Sequence, residues 1–157
     1  MPLAVFADIR ITRKVSIIDD YFTLILYYPS HRITLTSGMM FMTESPGYKI
    51  YGTKGCFIKN RSDVQEADLM AGKKPNSLNW GAEANEDYGT LYTDMNGIIT
   101  NKVIPSMPGN YGIFYEKMAN AILNNVPVPT SAKEGTNIIR VLEAARNSAF
   151  NKRVVGI

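Results

Sequence analysis

The chain has 157 residues, of which 45% are hydrophobic and 20% are charged, and its formal net charge is +3. These values are ordinary for a globular protein with a core of its own, and they predict one domain over residues 1–157. The 17 basic and 14 acidic residues are dispersed, so no nucleic-acid partner is predicted. One cysteine and one histidine exclude an intrachain disulfide, a zinc cluster and a histidine triad.

The sequence contains no membrane or export signal. No apolar run reaches about 18 residues, so neither a transmembrane helix nor a membrane partner is predicted. No basic segment followed by an apolar core opens the chain, so no signal peptide is predicted. The low cysteine content is consistent with a reducing cytoplasm, which is the predicted location.

The first third of the chain has the pattern of β-strands. Apolar residues alternate over residues 3–12, which predicts a half-buried strand that opens the chain and suggests an upstream part. Residues 21–28 are aromatic and aliphatic throughout, as in a strand that is buried on both faces or lies at an interface. Residues 32–37 alternate again and predict an antiparallel hairpin with the preceding strand. The run 39–42 is rich in methionine and is typical of core filler or, less often, of an adaptable contact surface.

The middle of the chain predicts two further hairpins around a long polar loop. Short strands at 48–51 and 56–59 are joined by a β-turn through Gly52-Thr53-Lys54-Gly55. Residues 60–89 are polar and irregular, with one short helical turn near 64–70, and loops of this length are usually functional or partly disordered. Asn96-Gly97, between strands at 90–93 and 98–103, is a strong hairpin signal.

The last third predicts two helices. The first ends at Asn124-Asn125, ahead of two prolines, and Ser131 with Glu134 fits a capping box at the start of the second. The apolar positions at helical spacing are Tyr111, Tyr115, Met118 and Ile122 in the first helix, and Ile138, Leu142, Ala145 and Ala149 in the second.

This order of elements, many strands and then two helices, predicts an α+β fold. We expect a large, mostly antiparallel open sheet with the helices on one face. The other face would meet water or another chain, and the aromatic strand 21–28 favours an interface.

Few side chains in the sequence suggest a catalytic or ligand-binding role. His31 lies at a predicted turn with no partner for base catalysis, and Cys56 lies within a strand, where inert thiols are common. Asp63, Glu66 and Asp68 do not share one helical face, so a solvated loop and a functional loop both stay open. Trp80 is equally consistent with a stacking platform for a sugar ring and with a plug under the loop.

No phosphate-binding glycine motif of the dinucleotide or Walker type is present. However, the chain resembles the C-terminal domain of the glucose–fructose oxidoreductase, inositol dehydrogenase and MocA (Gfo/Idh/MocA) family of NAD(P)-dependent oxidoreductases. The similar pieces are Pro2 to Arg13, Asp19-Asp20-Tyr21-Phe22 to Tyr28, Tyr51 to Phe57, Lys59, Asp63-x-Gln65-Glu66-x-x-Leu69-x-x-Gly72-x-x-Pro75, Trp80-Gly81, Gly109-Asn110-Tyr111 to Tyr115, Pro127-Val128-Pro129 and the last helix to Arg153.

The resemblance implies a domain like the C-terminal domains of dihydrodipicolinate reductase and glyceraldehyde-3-phosphate dehydrogenase. In the intact enzyme, an N-terminal Rossmann domain would bind NAD or NADP. The C-terminal domain would enclose a sugar-like or polyol substrate and pair into a homo-oligomer, predicted to be a dimer, through its sheet. This chain lacks the Rossmann domain and the family's Lys-Pro motif. We therefore predict no catalytic, cofactor or metal residue here and no activity or cofactor for this chain alone; the substrate-binding candidates are Asp63, Gln65, Glu66 and Trp80.

Two other hypotheses stay open from the sequence. The domain could be a stand-alone binding or assembly module that has lost its catalytic half. A third hypothesis is a small-ligand carrier that uses Trp80.

Overall fold

The computed structural model describes residues 1–43, 45–60, 63–75 and 77–157. Positions 61, 62 and 76 of the predicted loop 60–89 therefore lie outside the described residues. The chain divides into two compact units: unit 1 comprises Met1–Thr43 and Thr130–Ile157, and unit 2 comprises Glu44–Pro129.

Unit 1 contains an antiparallel sheet. Its strands are β1 (Ala4–Arg10), β2 (Tyr21–Tyr27), β3 (Arg32–Gly38) and the short β8 (Val155–Gly156), in the order β3-β2-β1-β8. The strands predicted at 3–12, 21–28 and 32–37 are confirmed.

The core of unit 1 lies between this sheet and helix α3 (Ala132–Asn151). It is built from Val5, Ala7, Leu24, Leu26 and Ala145. Strand β2 is buried mainly on this face, at Leu24 and Leu26, while the side chains between them are half-buried.

The capping box at the start of α3 is confirmed. Ser131 Oγ accepts a hydrogen bond from the Glu134 amide, and Glu134 Oε2 accepts one from the Ser131 amide. The predicted apolar face is only partly right: Ala145 is buried, but Ile138 and Leu142 are 58% and 50% exposed. Burial in α3 lies toward its C-terminal half, because that half packs on β1 and β8.

Ser148 completes the hydrogen bonding of β1 where the short β8 ends. Strand β8 pairs only with Ala4 and Val5. Beyond it, the Ala7 amide donates to Ser148 Oγ at 2.9 Å, and Ser148 Oγ donates to the Arg153 carbonyl at 2.6 Å. One fully buried hydroxyl therefore joins the edge of the sheet to the end of the helix.

Asp20 holds the loop between β1 and β2. Its carboxylate accepts hydrogen bonds from the amide and hydroxyl of Thr12 and from the amide and Nε of Arg13, at 2.6–3.1 Å. The Arg13 guanidinium and these loop donors hold the pKa of Asp20 well below its usual range, although burial opposes them.

Unit 2 contains the second antiparallel sheet. Its strands are β4 (Tyr48–Gly52), β5 (Gly55–Lys59), β6 (Gly89–Met95) and β7 (Ile98–Ile104), paired in chain order. The predicted hairpins are confirmed; Asn96 and Gly97 both have positive φ, as a tight hairpin turn requires.

The described residues of unit 2 contain three helical segments: α1 (Val64–Met70), a 3-10 turn (Asn85–Asp87) and α2 (Gly112–Asn124). The helical turn predicted near 64–70 is α1. Helix α2 begins at Gly112, and its predicted apolar stripe is not its buried face. Ala121 is buried in this helix, whereas Tyr115 and Ile122 are exposed.

The predicted fold class is confirmed as a mixture of helices and antiparallel strands, with the strands divided between two four-stranded sheets. Helix α3 lies against the sheet of unit 1, on the face that carries Val5 and Ala7. Within the described residues, none of the helices combines the length and the hydrophobicity that crossing a membrane requires.

Candidate functional site

The polar segment that follows β5 begins with a helix cap. Asp63 is the N-cap of α1, where its Oδ1 accepts a hydrogen bond from the Gln65 amide at 3.0 Å. Its other oxygen, Oδ2, accepts a short hydrogen bond from the hydroxyl of Tyr111. The carboxylate therefore fixes the start of α1 and also connects it to the segment that precedes α2.

Gln65 is the buried centre of this region. Its Oε1 accepts hydrogen bonds from Trp80 Nε1 at 3.1 Å and from the Tyr111 amide at 2.8 Å. Its Nε2 lies 3.4 Å from Asp63 Oδ1. The polar side chain is thus satisfied inside the unit, as buried amides need to be, and it joins three segments that are distant in sequence.

Two glycines allow the chain to close around Gln65. Gly81 has φ +67°, and a Cβ there would lie 1.8 Å from the Gly109 carbonyl oxygen. A Cβ on Gly109 would lie 2.6 Å from Gln65 Nε2. The Gly109 amide donates to the Gly81 carbonyl at 3.0 Å, so the two backbones touch directly.

A half-buried ion pair lies in the same region. Lys59 Nζ is 2.5 Å from Glu83 Oε2, and it also donates to the Asp87 carbonyl at 2.7 Å. The hydrogen bonds from Lys59 and the Ser106 hydroxyl lower the pKa of Glu83, while burial acts in the opposite direction. Glu83 is therefore held as a carboxylate.

These groups surround a cavity of about 270 Å³ in unit 2. Both carboxylates, Asp63 and Glu83, line it, together with Gln65 and the phenol-bearing Tyr48. The remaining lining residues are Val64, Gly81, Met107 and Gly109. The carboxylates can accept hydrogen bonds from the hydroxyl groups of a ligand, and the amide and the phenol can both donate to such hydroxyls and accept from them. The described lining contains no nucleophile paired with a general base, the arrangement that covalent catalysis requires.

The structure brings three of the four predicted site residues together. Asp63, Gln65 and Trp80 form one hydrogen-bonded cluster. Glu66 points away from it on the exposed side of α1 and does not line the cavity. Trp80 is 8% exposed, which favours the plug interpretation over the stacking platform.

The sequence did not indicate Glu83, Tyr48 or Tyr111 as members of the site. Lys59 and Glu83 are 24 positions apart, and Tyr111 is 46 positions from Gln65. No local spacing joins such residues, because the fold alone brings them together. The sequence offered one signal for this part of the site: Lys59 lies at the end of a predicted strand, and the acidic Glu83 lies in the polar loop.

The other polar candidates, His31 and Cys56, do not line this cavity. His31 is exposed at its turn, where its ring stacks on Tyr28 with ring centroids 4.5 Å apart, and Cys56 is half-buried in β5. Among the described residues, no group of three or more His, Cys, Asp or Glu side chains could hold a metal ion.

Comparison with known proteins identifies the class to which this fold and site belong. The profile described as "Oxidoreductase family, C-terminal alpha/beta domain" matches residues 5–157. The scyllo-inositol 2-dehydrogenase (NADP(+)) of Bacillus subtilis is 38% identical over 155 residues, which are 99% of this chain and 43% of that protein.

The comparison with solved structures gives the same class of protein. An oxidoreductase from Bacillus subtilis superposes with a TM-score of 0.96 at 38% identity, over 100% of this chain and 45% of that one. An oxidoreductase from Bacteroides fragilis superposes with a TM-score of 0.90 at 37% identity, over 100% of this chain and 48% of that chain.

The chain belongs to the Gfo/Idh/MocA oxidoreductase family and corresponds to its C-terminal alpha/beta domain. It spans less than half the length of the relatives that it matches.

Proposed function

We propose that this chain is the C-terminal domain of a nicotinamide-dependent oxidoreductase that acts on a sugar, a polyol or a related hydroxy compound. The observation that carries the proposal is the match, along 99% of the chain, to a dehydrogenase whose name specifies scyllo-inositol and NADP(+). NAD or NADP would bind to a Rossmann domain outside residues 1–157 and would exchange a hydride with the substrate.

In this proposal, the cavity of unit 2 forms the domain's side of the substrate site. Asp63 is the residue best placed to accept hydrogen bonds from substrate hydroxyls, since it lines the cavity and is exposed. Gln65 and Trp80 lie behind it and hold the segment in place. Glu83 would present a carboxylate that Lys59 keeps ionised.

The domain would also contribute contacts between subunits. The face of the unit 1 sheet that is remote from α3 carries Tyr21, Ile25 and Tyr27, which are half-buried, and the exposed threonines of β3. Such a face is suited to pairing with a second copy, so a dimer, located in the cytoplasm, is part of the proposal.

The test is an assay of the complete native gene product beside the purified 157-residue chain. We expect NAD(P)H formation with inositols or other polyols from the native product and none from residues 1–157 alone. Hydride transfer by the 157-residue chain alone would contradict the proposal that the cofactor binds to a domain outside residues 1–157.

The alternative function is a stand-alone binding or assembly module. The observation that favours it is that unit 2 has a polar cavity lined by Asp63, Gln65 and Glu83. A native product of 157 residues that binds polyols without a nicotinamide would support this alternative.

A further inference from the structure

Lys59, the last residue of β5, connects this strand to two points of the polar segment that follows it. Its Nζ lies 2.5 Å from Glu83 Oε2 and donates to the Asp87 carbonyl at 2.7 Å. The side chains of Lys59 and Glu83 are 15% and 12% exposed. Hydrogen bonds in such a site are stronger than at an exposed surface, so the two side chains hold each other in one orientation.

Glu83 carries this orientation into the cavity of unit 2, which it lines. In addition to Lys59, the hydroxyl of Ser106 forms a hydrogen bond with the carboxylate. The two oxygens of a carboxylate accept about four hydrogen bonds between them. The contacts with Lys59 and Ser106 therefore orient the carboxylate and leave acceptor positions for a ligand.

We propose that Lys59 is a positioning residue of the polyol site: it directs the Glu83 carboxylate toward ligand hydroxyls and does not itself touch the ligand. Glu83 lines the cavity, whereas Lys59 does not. A glutamate side chain without a partner samples several rotamers, and restricting it beforehand reduces the entropy that is lost on binding. The inference rests on the proposed function and adds to it a residue that acts through another.

The charges near Glu83 predict how binding depends on pH. The charged or titratable residues that line the cavity with Glu83 or belong to its ion-pair contacts are Lys59 on β5, Asp63 at the start of α1, Tyr48 on β4 and Asp87 in the 3-10 turn. The hydrogen bond from Lys59 is the largest influence that lowers the pKa of Glu83, whereas burial and the charge of Asp63 raise that pKa. Without Lys59, Glu83 should therefore take up a proton at a higher pH, and a neutral carboxyl accepts hydrogen bonds less strongly.

The competing interpretation is that the ion pair only holds the polar segment against β5. A purely structural lysine would affect ligand binding whether or not residue 83 is a carboxylate. A lysine that acts through Glu83 would lose its effect once the carboxylate is removed. A double-mutant cycle separates the two interpretations, because it measures the coupling between two positions.

The experiment measures polyol binding to the complete native gene product by isothermal titration calorimetry. The ligands are scyllo-inositol, myo-inositol and sorbitol, with NADH or NADPH present, because a reduced nicotinamide cannot accept a hydride from the polyol. The variants are Lys59→Gln, Glu83→Gln and the double substitution, each compared with the wild type between about pH 5.5 and pH 8. Lys73→Gln is the matched control, since Lys73 pairs with Asp68 at 2.6 Å but is 58% exposed and does not line the cavity.

We expect Glu83→Gln to raise the Kd of the tightest-binding polyol about ten-fold at every pH, as the loss of a charge-assisted hydrogen bond predicts. Lys59→Gln should raise this Kd about three-fold at pH 8 and about ten-fold at pH 5.5, because Glu83 becomes protonated as the pH falls. Adding Lys59→Gln to Glu83→Gln should change the Kd by less than about two-fold, and so should Lys73→Gln alone.

An unchanged Kd for Glu83→Gln would overturn the proposal, and so would an equal effect of Lys59→Gln with and without the carboxylate. If Lys59→Gln does not fold, the exchanged pair Lys59→Glu with Glu83→Lys keeps an ion pair in place and should still raise the Kd about ten-fold or more. Wild-type affinity of the exchanged pair would overturn the proposal.

Polyol oxidation is assayed in the same preparation with NAD or NADP. Binding without oxidation would contradict the oxidoreductase function and leave the role of Lys59 standing. Oxidation combined with independent effects of the two substitutions would contradict the role of Lys59 alone. A folded native product that binds none of the three polyols would overturn both.

Discussion

Trp80 Nε1 donates a hydrogen bond to Gln65 Oε1 at 3.1 Å, and the two side chains are 8% and 5% exposed. This contact joins the start of α1 to the turn at Trp80 within the polar loop. Because Gln65 also accepts from the Tyr111 amide, its side chain holds together the start of α1, the turn at Trp80 and the residue before α2. The shape of the polar cavity depends on it.

Gln65→Ala is expected to destabilise the chain. The truncation leaves the indole N–H of Trp80 and the Tyr111 amide without their acceptor. The Trp80 donor is buried, and a buried unsatisfied donor costs about 1–3 kcal/mol. The measurement is urea unfolding followed by Trp80 fluorescence. Glu66→Ala, one position along on an exposed site, is the matched control and should change the free energy of unfolding by less than about 0.5 kcal/mol. Equal effects of the two changes would refute the structural role of Gln65.

Gly81→Ala and Gly97→Ala separate a steric clash from backbone strain. Both glycines have positive φ, so each alanine incurs the left-handed penalty of about 1–2 kcal/mol. Only at Gly81 would the added Cβ overlap another backbone atom, the Gly109 oxygen, whereas nothing lies within 4 Å at Gly97. Thermal unfolding should show a loss of stability at least twice as large for Gly81→Ala. Similar losses would mean that Gly81 and Gly109 are not in contact.

Ser148→Ala tests how the edge of β1 is completed. The change leaves the Ala7 amide and the Arg153 carbonyl without the hydroxyl that joins them, at a cost of about 1–3 kcal/mol. Thr136→Ala is the control on the same helix, since its hydroxyl is exposed and bonds only back to the Ala132 carbonyl. Chemical denaturation of both variants measures the difference. In addition, amide hydrogen exchange at Ala7 should accelerate in the Ser148 variant alone.

Asp20→Asn should show a pH-dependent effect. The pKa of Asp20 is lower in the folded chain than the ordinary value of 3.8, chiefly because of Arg13 and the Thr12 amide. A carboxyl with a depressed pKa stabilises the folded state above its unfolded pKa, and this contribution is lost as the pH falls below that value.

Asp20→Asn is therefore expected to reduce stability at pH 7, and its difference from the wild type should shrink as the pH falls below about 4. The measurement is the free energy of unfolding between pH 7 and pH 3. Asp19→Asn, at the neighbouring and half-exposed position, serves as the control. A difference between wild type and Asp20→Asn that stays constant over this range would show that the carboxylate charge is not what stabilises the loop.

Local signals in the sequence predicted local structure well. Asn96-Gly97 indicated a hairpin because both positions of such a turn need positive φ. Ser131 and Glu134 indicated a helix start because each side chain caps the other's amide. The strand at 3–12 followed from alternation, and β1 accordingly buries Val5 and Ala7 between less buried side chains.

The sequence was less informative about which apolar residues are buried. Tyr115 and Ile122 in α2 and Ile138 and Leu142 in α3 recur at helical spacing, yet they are exposed. Periodicity identifies an apolar face of a helix but does not show which element, if any, covers that face. The site was predicted only as far as Asp63, Gln65 and Trp80, since Glu83 and Tyr48 reach the cavity through the pairing of distant strands and loops.

The most direct test of the account is the kinetics of Asp63→Asn in the complete native gene product with its best polyol substrate. Asparagine still caps a helix, so the substitution removes the carboxylate charge from the cavity and leaves α1 in place. The loss of a charge-assisted hydrogen bond of about 1.5 kcal/mol would raise KM about ten-fold with little change in kcat.

Asp68→Asn is the matched control, because Asp68 is also on α1 but pairs with Lys73 at 2.6 Å and does not line the cavity. We predict that KM rises about ten-fold in the Asp63 variant and stays within two-fold of wild type in the Asp68 variant. An unchanged KM for Asp63→Asn would contradict the assignment of this cavity to the substrate.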